Sequence, residues 1–252
     1  MTPEFHQAHR RLVAATTARS WRDDVEDPDD PATVQAMQMA LNLPKGTPPA
    51  RNAVLVAAAQ AVVAVCLDER AGAESGAFVD GLAQWYGHRI RKVARRARNK
   101  AWDDVQALPG VTVDNLARAF VPSAVAEVPA AVAKLQIGHT DLPHDDDLPA
   151  PTPEHPALYV DGGLGMSMGK AAAQVGHGSM LLAAAMTADE AHEWAQTGYP
   201  LSVVEASPEV FTAALEKAET DPGAGVVIRD AGYTEVAPDS ATVVAFHSPL
   251  AE

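Results

Sequence analysis

The sequence predicts an α/β protein built from two similar halves, and three observations carry that expectation. Strand-like apolar runs alternate with alanine-rich helical segments. The order of those elements over residues 34–138 recurs over 157–252. Between them, residues 139–156 hold five prolines and four aspartates, which reads as a linker. The expected layout is an N-terminal helix and acidic loop (1–33), a first α/β domain (34–138), the linker (139–156) and a second α/β domain (157–252).

Taken in order, residues 4–20 read as an amphipathic helix and 22–31 as an acidic, proline-bearing loop. A strand is expected at 34–43 and, after Pro48 and Pro49, an apolar helix at 50–68. Helix follows at 75–87, then a basic stretch at 89–100, helix at 102–108, extended chain at 111–114 and a strand at 132–137. The second half reads as strand 157–160, helices 168–186 and 188–197, strand 201–206, helix 208–219 and strands 225–230 and 241–247. Ser207 followed by Pro208 is a strong helix start. Aligning Arg51 with Lys170 superposes the alanine-rich helices. It brings Trp85 near Trp194 and Trp102 near Phe211, matches Asp114-x7-Pro122 to Asp230-x7-Pro238, and sets Leu55, Ala58 and Arg118 opposite Gln174, His177 and Thr234. This suggests a tandem duplication whose first copy lost a polar stripe.

Composition bounds the function. With 47% hydrophobic residues in 252, the chain has ample core. The single cysteine, Cys66, lies in an apolar run and excludes an internal disulfide, which fits a reducing cytoplasm. That run, 53–67, is short for a membrane span, and residues 1–21 lack the apolar centre of a signal peptide. The net charge of −14 argues against general nucleic-acid affinity. Its distribution is uneven: residues 151–252 hold three basic side chains against fourteen acidic ones. Seven cations crowd into 89–100: Arg89, Arg91, Lys92, Arg95, Arg96, Arg98 and Lys100. They read as a phosphate contact or as an ordinary solvated face.

Residues 168–177, Met-Gly-Lys-Ala-Ala-Ala-Gln-Val-Gly-His, open the second alanine-rich helix after a strand and a glycine-rich turn. Lys170, Gln174 and His177 stand at i, i+4 and i+7 and share one face. A lysine in the first turn opposes the helix macrodipole, which suggests that it holds an anion.

This helix resembles that of the type 2 peptidyl-tRNA hydrolases, and so does the later stretch 228–243, with Arg229, Asp230, Gly232, Thr234, Pro238 and Thr242. Val175 and Gly178 depart from the usual cysteine and alanine. The resemblance covers roughly 156–248. It implies two small three-layer α/β halves, each a mixed sheet flanked by helices, and hydrolysis of the ester joining a peptide to the 3′ ribose of tRNA. Many members of that family pair, so a homodimer is expected or, given the duplication and the charge split, an intramolecular pseudo-dimer; no cofactor, metal or membrane partner is expected.

Within that chemistry, Lys170 suits an oxyanion or a terminal phosphate. Asp230, ending a strand, suits water activation or the orientation of Lys170, or serves only as a turn residue. Gln174 suits the substrate carbonyl or ribose, or backbone groups in the core. His177 is either catalytic or a core histidine, and Thr234 contacts substrate or caps a turn. Thr242 reads as structural. No nucleophile elbow is present, which favours a water nucleophile. A P-loop reading of 163–170 fails at Leu164 and Ala171. His139, His144, Asp145, Asp146, Asp147 and His155 lack rigid metal-ligand spacing. Two other functions stay open: a non-catalytic tRNA-binding homologue, and a hydrolase of another small ester or amide.

Overall fold

The computed structural model describes residues 1–17, 26–145, 148, 150–221, 223–232 and 234–250. The expectations for 18–20 and 22–25, and those for Asp146 and Asp147, lie outside the described residues, as does residue 233 of the stretch 228–243. The first half runs α1 (Pro3–Thr17), β1 (Gln35–Asn42), α2 (Arg51–Cys66), α3 (Glu69–Gly72), α4 (Ala77–Tyr86), β2 (Arg91–Ala97), α5 (Lys100–Val105), β3 (Gly110–Val113), β4 (Ala117–Phe120), β5 (Ser123–Ala124) and α6 (Ala130–Ala133). The second runs β6 (Ala157–Asp161), α7 (Met168–Ala185), α8 (Ala188–Gln196), β7 (Ser202–Ala206), α9 (Pro208–Thr220), β8 (Gly225–Arg229) and β9 (Ala241–Phe246).

Each half has a mixed sheet flanked by helices, as the sequence predicts. The strand orders are β2-β1-β4-β3 and β7-β6-β9-β8, with β5 paired to β1 outside that path. In both, the first strand is parallel to its outer neighbour and antiparallel to the other inner strand, which pairs antiparallel with the last. Strand alternation builds the layers. Met37, Met39, Leu41, Leu158 and Val160 face one core shared by both halves. Ala40 packs with Trp102 and Phe120 on the far face of the first sheet. Tyr159 packs with Phe211 and Phe246 on the far face of the second.

The two alanine-rich helices, α2 and α7, pack against each other inside the shared core. Small residues permit this: Ser179 Oγ donates to Ala59 O at 2.7 Å, and a Cβ on Gly176 would stand 2.8 Å from Val62 Cγ2. Arg51–Gly72 is apolar and long enough to cross a membrane, yet 61% of its most apolar 18 residues are buried inside the protein. Each outer parallel strand also touches the other half's helix. Arg51 and Asn52 of α2 bond Glu205 and Val203 O of β7, while Lys92 of β2 bonds His177 of α7. The tryptophans repeat one local contact: Trp85 Nε1 donates to Arg91 O at 3.0 Å and Trp194 Nε1 to Pro200 O at 2.8 Å.

The second half follows its expected elements closely, and the first departs more, with α3 and β5 also unexpected. Residues 91–97 form β2 inside the basic stretch, and 117–120 form β4. The strand expected at 132–137 is instead the end of α6, followed by one bridge from Gln136 to Arg96. The aligned turns differ as well. A tight hairpin with positive φ at Asp114 and Asn115 joins β3 to β4, whereas residues 230–240 join β8 to β9. Pro122 therefore follows β4 while Pro238 precedes β9, and Arg118 lies in a strand where Thr234 lies in a loop, so that part of the alignment holds only at Asp114.

Candidate functional site

The site forms where α7 begins and β8 ends. Ser167 caps α7, its Oγ accepting from Lys170 N at 3.2 Å. Ser167 is itself gripped by Glu235, which accepts from its N at 2.8 Å and from its Oγ at 2.7 Å. A carboxylate at a helix N-terminus is favourable. The loop that carries Glu235 is closed by Asp230, whose N donates to Ser240 O at 2.9 Å and whose O accepts from Asp239 N at 2.7 Å. Gly232 permits the turn: its φ is +79° and a Cβ would stand 2.5 Å from Pro238.

This geometry splits the Asp230 carboxylate into two duties. Oδ1 accepts from Gly232 N at 2.8 Å and holds the turn. Oδ2 accepts from Lys170 Nζ at 2.5 Å and from Gln174 Nε2 at 2.7 Å. Lys170 Nζ also donates to Thr234 Oγ1 at 3.0 Å, leaving its third N–H without an acceptor among the described residues. The Lys170 and Asp230 side chains are each 11% exposed, so the pair attracts more strongly than a surface pair would. Gln174 is oriented from below by buried Thr242, whose Oγ1 donates to Gln174 Oε1 at 2.7 Å. The result is one chain from Thr242 through Gln174 and Asp230 to Lys170.

Residues 156–250 match the family model of peptidyl-tRNA hydrolase PTH2. The PTH2 match contains Lys170, Gln174, Asp230 and Thr234, which the fold brings together, and His177, which it sets apart. No curated protein matches the chain.

Apart from that cluster, the His177 ring meets Lys92 Nζ at 2.9 Å through Nδ1. Burial, then the charges of Lys92 and Lys170, push its pKa well below the usual histidine value. Burial lowers Lys92 to about 7 and raises nearby Cys66 to about 11. The basic stretch is not one open face, because strand alternation divides it. Lys92 turns inward and Arg91 pairs with Glu26. Arg95 bonds Gln38 at 2.7 Å and Leu135 O at 3.0 Å. Arg96 bonds His139 O at 2.9 Å, Lys100 pairs with Asp104 at the surface, and Arg89 and Arg98 are half-buried.

Sequence reasoning missed Glu235, treated Thr242 as structural, and left the linker unassigned. The signal for Glu235 was a cap residue, Ser167, with no acidic partner three residues on. The linker reaches both helix starts. Thr140 Oγ1 accepts from Gly169 N at 2.9 Å, and the Asp145 carboxylate accepts from Arg51 N at 3.3 Å and Asn52 N at 2.7 Å.

Proposed function

We propose that the chain hydrolyses the ester between a peptide and the 3′ ribose of tRNA, in the cytoplasm, with residues 157–250 carrying the chemistry. The observation behind this reading is the Asp230 carboxylate holding Lys170 and Gln174 at the start of α7. Water adds to the ester carbonyl, the bond to the ribose oxygen breaks, and a proton from water passes to that oxygen. Lys170, at the positive end of α7, offers its remaining N–H to the developing oxyanion or to the terminal phosphate. With both oxygens engaged, Asp230 orients Lys170 instead of taking a proton from water. Gln174 and Thr242 position Asp230, Thr234 steadies Lys170, and His177 joins the halves without touching substrate.

In the same reading, the N-terminal half is a degenerate copy that takes the place of a second subunit. Shared strand order and the paired tryptophan contacts support this. Its own site is dismantled: Arg51 pairs with Glu205, Leu55 replaces the glutamine, and a tight hairpin replaces the long loop. Its contribution is positive charge for tRNA phosphates along Arg89, Arg91, Arg95, Arg96, Arg98 and Lys100. Arg96 is tied to the start of α7, since it bonds the residue before Thr140, which in turn accepts from Gly169 N.

The test is release of labelled peptide from N-acetyl-aminoacyl-tRNA by the full chain. Lys170→Met and Asp230→Asn should each lower turnover about 10²–10³-fold while tRNA binding, weakening steeply with salt, persists. Salt-sensitive binding without turnover by the wild type would identify a non-catalytic homologue. Indifference to tRNA would identify a hydrolase of another ester.

A further inference from the structure

A cavity of about 520 Å³ lies in the first half, bounded by the turn before α4, the loop from α5 to β3 and the side chain of Arg118 in β4. None of its lining residues belongs to the half that holds Asp230. Its volume is in the range of small-molecule pockets, roughly 300–1,000 Å³.

Two guanidinium groups line it: that of Arg70 is paired with Asp68 through Nε at 2.8 Å and a terminal nitrogen at 2.7 Å, and that of Arg118 is not paired with a carboxylate among the described residues. Arg118 is 7% exposed. Its terminal nitrogens reach only neutral acceptors: Thr112 Oγ1 at 2.6 Å, Gln106 Oε1 at 3.4 Å, Gly110 O at 3.4 Å and Leu108 O. Its Nε–H is buried without an acceptor among the described residues. No carboxylate pairs with it among the described residues. Burial, then the charge of Arg70, lowers its pKa, so the site disfavours a cation that nothing present neutralises. Arg70, on the same wall, lies 3.9 Å over the Phe78 ring. The third element is the start of the ten-residue helix α4, which also lines the cavity. Its cap is Gly76, with φ +125° and no side chain to meet the first N–H groups. A buried guanidinium with only neutral partners, a second guanidinium held by Asp68 and a helix start with no side-chain cap thus line one cavity.

We propose that this cavity binds a small molecule through a phosphate or carboxylate group, seated between Arg118, Arg70 and the α4 N-terminus. Arg118, fixed by four neutral acceptors, forms the rigid floor, and Arg70, oriented by Asp68 through Nε and one terminal nitrogen, turns its other terminal nitrogen to the anion. The site is independent of ester hydrolysis, and its test does not read turnover.

Binding of inorganic phosphate and, separately, acetate to the full chain is measured by calorimetry and by thermal shift against chloride at equal ionic strength. Saturable binding of either anion is expected, and the preferred anion names the ligand's group. Arg70→Gln, at an exposed position, should weaken it at least tenfold, and Arg118→Met should abolish it. Lys170→Met and Lys217→Gln should leave it unchanged. If Arg118→Met does not fold, Arg70→Gln decides. The proposal falls if neither anion saturates, if Arg70→Gln binds as the wild type does, or if Lys170→Met alone loses binding. It also falls if tRNA displaces the anion, since the cavity would then belong to the nucleic-acid surface.

Discussion

Replacing Lys92 by methionine should stabilise the protein at neutral pH, although it removes the hydrogen bond to His177. Burial holds the Lys92 amine at about 7 against an ordinary 10.5. Keeping it protonated in the folded state therefore costs on the order of 5 kcal/mol. The sign follows from proton counts. Below pH 7 both folded and unfolded chains carry the proton and the full cost is present. Between pH 7 and 10.5 only the unfolded chain holds it, so the wild type gains stability as pH rises. Methionine fills similar volume and carries no charge, and the lost bond to His177 costs about 1 kcal/mol. The variant should be more stable by about 4 kcal/mol at pH 6.5, with the advantage vanishing and slightly reversing near pH 10. Urea unfolding of both proteins from pH 6 to 10 measures this. A difference that stays flat across that range would refute the assignment of Lys92 as a buried, destabilising cation.

Three further changes probe the site and the seam. Thr242→Val strands the buried Gln174 Oε1; it should cost about 1–3 kcal/mol in urea unfolding and lower kcat with KM little changed. Gly176→Val drives a side chain into Val62 and Lys92 and should destabilise by about 1–3 kcal/mol, measured by thermal unfolding. Arg51→Met leaves Glu205, 8% exposed, without its guanidinium partner; it should cost about 3–5 kcal/mol. Arg51→Met with Glu205→Leu should recover most of that loss in a double-mutant cycle.

The chain's own pattern determined most of the second half. Its helices begin at Ser167, Thr187 and Ser207, each with a side chain that accepts from the helix start, and its strands are apolar runs with clear ends. Such signals are local and survive in one dimension. The i, i+4 spacing likewise placed Lys170 beside Gln174, and the strand expected at 225–230, apolar from Val226 to Ile228, placed Asp230 at a sheet edge. Tertiary structure decided the rest, because long-range contact decides it. β2 hid in a basic stretch since its neighbours are parallel β1 on one side and α7 across the seam. Thr242 and Glu235 gained roles only when β9 and the 230–240 loop folded against α7. His177 continued the polar stripe in sequence, but two turns along the helix the surroundings change from loop to the enclosed seam, and its partner there is Lys92 from the other half.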